Sequence, residues 1–155
     1  MKNNDVLRRL RYALDISDVK LVEIFQKSDF KTDTVQVKNM LKKEDEEDFF
    51  NINDRIMTLF LDGFIIYKRG ENPNQTVVKK EKRLTNNDIL KKLKIALNLK
   101  SEDILEILTI AENPISKSEL AAVLQKKDHK NYKECGDKYI KKFLQGLTIK
   151  NRGSK

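Results

Sequence analysis

NNDVLRRLRYAL (residues 3–14) and NNDILKKLKIAL (residues 86–97) are one phrase written twice. A shift of 83 positions carries the first onto the second. Without a gap it goes on to carry FLDGFIIYKRG (residues 60–70) onto FLQGLTIKNRG (residues 143–153). Nineteen of the 68 aligned pairs are identical, and about a third of the rest exchange apolar for apolar or basic for basic. A fixed period of this length marks a duplicated structural unit, so the fold is read once and applied twice.

Each copy reads as four short helices. In the first, Val6, Leu7, Leu10, Ala13 and Leu14 recur as Ile89, Leu90, Leu93, Ala96 and Leu97. This i, i+3, i+4, i+7 spacing is one face of an amphipathic helix. Asn4 and Asn87 stand where N-caps are expected, with Asp5 and Asp88 beside the positive end of the helix dipole. The second helix starts near Ser17 or Ser101 and buries Leu21, Val22, Ile24 and Phe25, or Ile104, Leu105, Ile107 and Leu108. The third opens on Asp33-x-x-Gln36 or Ser116-x-x-Glu119, a capping-box spacing. Its inner face is Val37, Met40 and Leu41, or Leu120, Val123 and Leu124. The fourth, about 53–67 and 136–150, holds Phe60, Leu61 and Phe64, or Phe143, Leu144 and Leu147. Gly63 and Gly146 fall inside that pattern. A mid-helix glycine costs roughly 1 kcal/mol against alanine, so its presence in both copies predicts close helix packing. Arg69-Gly70 and Arg152-Gly153 end the units, with glycine as the C-terminal cap.

Composition agrees with an all-α protein. Of 155 residues, 39% are apolar and 36% charged, with five glycines and two prolines. The expected architecture is two tandem homologous four-helix units, residues 1–70 and 86–153, packed with pseudo-two-fold symmetry. A basic linker, 71–85, joins them and includes a short extended piece at Val77-Val78. Units of this size are near the limit for folding alone, so they are expected to pack on each other. No apolar run suffices for a membrane span, the N-terminus lacks a signal-peptide core, and the lone Cys135 fits a reducing cytosol. A cytoplasmic protein is expected, with no membrane partner.

TNNDILKKLKIALNL, DHKNYKEC and FLQGL together resemble the YehS-like proteins, a small bacterial family with a duplicated domain of unknown function. The resemblance covers the chain and implies a soluble bacterial protein of two tandem helical domains. It carries no activity, cofactor or catalytic residue onto these positions.

The net charge of +8 is unevenly spread. Residues 1–70 hold 13 basic and 13 acidic side chains, whereas 84–155 hold 15 basic against 9 acidic. On the first helices, Arg8, Arg9 and Arg11 become Lys91, Lys92 and Lys94. Charge is kept while residue type changes, as phosphate contacts tolerate. With the linker cations Lys79, Lys80, Lys82 and Arg83 and the second-copy cations Lys126, Lys127 and Lys130, they form the candidate nucleic-acid surface. The ordinary alternative is a solvated helix, since Asp5–Arg9 and Asp88–Lys92 are acid-first i, i+4 pairs.

Other motifs are weaker. Helices two and three have the outline of a helix-turn-helix, with Thr34, Gln36, Lys38, Asn39 and Lys42 facing a groove, but the second copy puts alanine at two of these positions. The acidic run 44–48 lies opposite a basic run in copy two (Lys126, Lys127, Lys130, Lys133, Lys138, Lys141, Lys142), so the copies or two chains could pair by charge. The run lacks the ligand spacing of an EF-hand loop, and His129 with Cys135 makes no zinc cluster, so neither metal nor cofactor is expected. No phosphate loop or hydrolase elbow is present, and an enzyme is not expected. The resulting expectation is a non-catalytic cytosolic binder of RNA or DNA without sequence preference. The alternative is a protein-interaction or self-association module (a homo-oligomer included) using the Gly63 and Gly146 faces or the acidic loop.

Overall fold

The computed structural model describes residues 1–71 and 83–153. Among them are eight helices and no strand: α1 (Asn3–Leu14), α2 (Asp18–Lys27), α3 (Thr34–Met40), α4 (Asp54–Arg69), α5 (Asn86–Ala96), α6 (Ser101–Ile110), α7 (Lys117–Leu124) and α8 (Asp137–Arg152). The chain is thus all-α, four helices per repeat. The expected extended piece at Val77-Val78 lies outside the described residues. No described helix is long and apolar enough to cross a membrane.

The helix ends follow local chemistry. Side chains of Ser17, Asp33, Asn53 and Ser116 accept from backbone N–H groups in the first turns they cap. Thr85 and Asp88 form a reciprocal capping box at α5, whereas at α7 only the Ser116 half of the expected box is present. Left-handed backbone recurs at equivalent exits: Asp15 and Asn98, Asp29 and Glu112, Gly70 and Gly153. Glycine takes that conformation without a Cβ clash, as expected at both unit ends.

The two asparagines expected as caps do something else. Asn4 and Asn87 lie inside the first turn of their helices and are each 1% exposed. Asn4 Nδ2 donates to Met40 O (2.9 Å) and Phe50 O (2.8 Å), and its Oδ1 accepts from Ile52 N (3.0 Å). Asn87 repeats this on Val123 O (2.9 Å), Lys133 O (2.8 Å) and Cys135 N (2.9 Å). Each amide clasps the end of the third helix to the long connection before the fourth. The neighbouring Asn3 and Asn86 bond the same connections, reaching Asp54 (3.0 Å) and Asp137 (2.9 Å). The cap positions belong instead to Lys2 and Thr85.

Packing between repeats is reciprocal. α1 lies chiefly against α8 of the other repeat, and α5 against α4. Within a repeat α4 covers α2, and α8 covers α6. This is the pattern of a pseudo-two-fold axis, and one hydrophobic cluster runs through both repeats. The predicted stripes fill it: Leu7, Leu10, Phe25, Phe60 and Phe64 in the first repeat, Leu90, Leu93, Leu108 and Phe143 in the second. The symmetry extends to the polar edges. The Met1 ammonium meets Asp137 at 2.6 Å, and Leu84 N, its equivalent, meets Asp54 at 3.1 Å. The ammonium and Asn86 hold the Asp137 carboxyl below its ordinary range. Their contribution is present at neutral pH and is lost as pH falls through that lowered value.

The glycines pack as expected. A Cβ on Gly63 would stand 2.1 Å from Ile24 O, and one on Gly146 would stand 2.0 Å from Ile107 O. Both glycine faces are buried against α2 and α6. They are therefore not available to a partner, which corrects the self-association reading built on them.

Candidate nucleic-acid interface

The three arginines of α1 share one groove. Turning α1 onto α8 sets Arg8, Arg9, Arg11 and Tyr12 opposite Gln145 and Ile149, around a cleft of about 360 Å³. Leu144 and Thr148 complete its floor. Arg8 bonds the Asp5 carboxylate and donates to Lys42 O at 3.3 Å, just beyond the end of α3. Arg9 is exposed and makes no hydrogen bond or ion pair among the described residues. Arg11 donates to Ile16 O at 3.5 Å, while its Nε is buried with no partner. At the mouth Tyr12 is 47% exposed, and the Arg152 guanidinium stacks 4.0 Å from its ring centroid. Arg152 also donates to Tyr12 O at 2.6 Å and pairs with Asp15 at 3.3 Å.

The lysines of α5 are placed otherwise. Lys91 Nζ donates to Gln125 O at 2.7 Å, closing the end of α7 as Arg8 closes α3. Lys92 pairs with Asp62 of α4 at 2.5 Å across the repeat interface. Lys94 is half-buried on the same helix. The expected i, i+4 pairs do not form: Asp5 takes Arg8, and Asp88 turns back to cap Thr85 at 3.1 Å. The arginine and lysine triplets therefore differ in availability, because one faces a neutral glutamine and the other a carboxylate.

Of the remaining expected cations, Arg83 is exposed, and Lys126, Lys127 and Lys130 are exposed on the connection after Gln125, next to Lys91. Lys79, Lys80 and Lys82 lie outside the described residues. The acidic run stays local, with Glu44 on Lys2 at 3.4 Å and Glu47 O accepting from Lys42 Nζ at 2.9 Å. Among the described residues the ion pairs that join the repeats are instead Met1–Asp137, Asp62–Lys92 and Asp15–Arg152. Among the described residues no three His, Cys, Asp or Glu side chains are placed to hold a metal ion.

The helix-turn-helix outline fares poorly. α3 is seven residues long, Gln36 is taken by Thr32, and Lys42 is tied to the connection that follows it. Thr34 and Lys38 are exposed and Asn39 is half-buried, but a helix so short, with Gln36 bonded internally, has little to present to a major groove. His129 is exposed, its Nδ1 accepting from Asn131 N at 3.0 Å, and Cys135 is buried as the counterpart of Ile52. Burial pushes the Cys135 thiol up to about 12, so it is protonated and unreactive near neutral pH.

These features define a tandem α-helical repeat protein with one shared core and an arginine-lined groove at one of its two equivalent helix interfaces. The chain belongs to the family described as "Protein of unknown function (DUF1456)", whose model matches it twice, over residues 3–70 and 86–153. It is 39% identical over 155 residues to "Uncharacterized protein YehS" of Escherichia coli (strain K12), covering 100% of this chain and 99% of that relative. No solved structure matches.

Proposed function

We propose that this protein is a non-catalytic, cytosolic binder of nucleic-acid phosphate backbone. The observation that carries the proposal is the gathering of Arg8, Arg9 and Arg11 along one groove, with Arg9 lacking an acidic partner. Guanidinium groups suit this task because they stay charged and fork onto phosphate oxygens. Exposed Lys126, Lys127 and Lys130 add positive charge on the second repeat and strengthen long-range attraction. The protonated thiol of Cys135 and the solvent-exposed His129 offer no activated nucleophile, which favours binding over catalysis.

The test is fluorescence polarisation with labelled single-stranded RNA and double-stranded DNA, from low to physiological salt. Three phosphate contacts give a log–log salt slope of roughly −2 on a single strand. The double variant R9E/R11E is expected to flatten that slope and to weaken binding by roughly a hundredfold at low salt. Lys92 is the wrong place for this test, since its ammonium holds Asp62 across the interface. Salt-independent or absent binding by the unaltered chain contradicts the proposal.

A further inference from the structure

We infer that the chain carries one anion groove rather than two, and that Asp62 closes the second by occupying it with the protein's own carboxylate. The inference rests on the phosphate-binding reading of the α1–α8 groove. The repeats superpose Arg9 on Lys92 and Gln145 on Asp62 by the same 83-residue shift. The surrounding helices are equivalent too, α1 on α8 and α5 on α4. At the α4–α5 interface, Asp62 Oδ1 sits 2.5 Å from Lys92 Nζ, and both side chains are about one-third exposed (33% and 28%). At the α1–α8 interface the same position is Gln145, exposed and uncharged, and Arg9 has no counter-ion among the described residues.

The change from Asp62 to Gln145 therefore separates an internally neutralised interface from an open cationic one. A carboxylate on the facing helix reaches the first-helix cation in one repeat, so a phosphate oxygen has a cation of the same kind to meet in the other. Arg8 is partly compensated by Asp5, which leaves Arg9 and Arg11 as the main anion contacts. The arginine-to-lysine change between repeats fits this division. The forked group stands where an external anion is received, and the point charge stands where a single carboxylate oxygen is met.

The deciding experiment uses the full chain and two variants that leave every arginine in place. Q145D installs the carboxylate and is expected to weaken single-stranded RNA binding by roughly tenfold or more at low salt. Its melting temperature should stay the same or rise, because a pair with Arg9 is gained. D62Q frees Lys92 and is expected to raise binding stoichiometry or tighten affinity. Unchanged binding by Q145D, beside weakened binding by R9E/R11E, overturns the inference and leaves the proposed function standing. Absence of binding by the unaltered chain overturns both.

Discussion

Gly146→Ala is expected to destabilise the protein by about 3 kcal/mol, even though alanine is the better helix former by about 1 kcal/mol. The added Cβ would stand 2.0 Å from Ile107 O, and the obstruction is backbone rather than a side chain that can swing away. α8 must then lift from α6, opening the packing around Ile107 and Leu144. Gly63→Ala is expected to behave alike, since its Cβ would meet Ile24 O at 2.1 Å. At about 2–4 °C per kcal/mol for a chain of this size, each variant loses roughly 10 °C in melting temperature. Gly136 is the control. A Cβ there meets nothing within 4 Å, and G136N imports the cap that Asn53 gives α4, so it should be neutral or stabilising. Circular-dichroism melts of the three variants decide the matter, and a Gly146→Ala chain as stable as the parent refutes the packing account.

Asn87→Ala is expected to cost about 4 kcal/mol, among the largest single effects in the molecule. The variant strands two carbonyls, of Val123 and Lys133, and the Cys135 N–H, and it leaves a cavity where the amide was. Asn87→Asp is expected to be nearly as damaging at neutral pH. A buried carboxylate still accepts from Cys135 N but faces two carbonyl oxygens to which it cannot donate. Asn4→Ala should match through Met40, Phe50 and Ile52. Urea unfolding with unchanged slope measures these losses. A cost below about 1 kcal/mol for both alanine variants contradicts a clasp role.

The comparison of Asn4 with Leu7 shows what the chain disclosed and what it hid. Leu7, Leu10 and their repeats were legible because helical period and burial are the same fact seen twice. The job of Asn4 was not, because asparagine is a good N-cap and the sequence places it where a cap belongs. A signal was present nonetheless: a cap needs one such residue, and both copies keep two. The pairing of α1 with α8 was likewise hidden. Periodicity marks which face of a helix is buried, but not which repeat supplies the surface that buries it. The basic triplets were visible in the sequence as equals. Their different roles depend on Asp62, which faces Lys92, and on Gln145, which faces the arginines from the far end of the chain, each brought opposite only by the exchange of first helices.

The most direct test of the central claim is a map of contact on the folded protein. Backbone amide NMR of the full chain, titrated with a short single-stranded RNA, reads every position at once. The α1–α8 groove account predicts shifts over Arg8 to Tyr12, extending across to Gln145 and Thr148, with the equivalent positions around Asp62 and Lys92 unmoved. Shifts of equal size at both interfaces, or shifts that leave α1 silent while RNA binds, would contradict it.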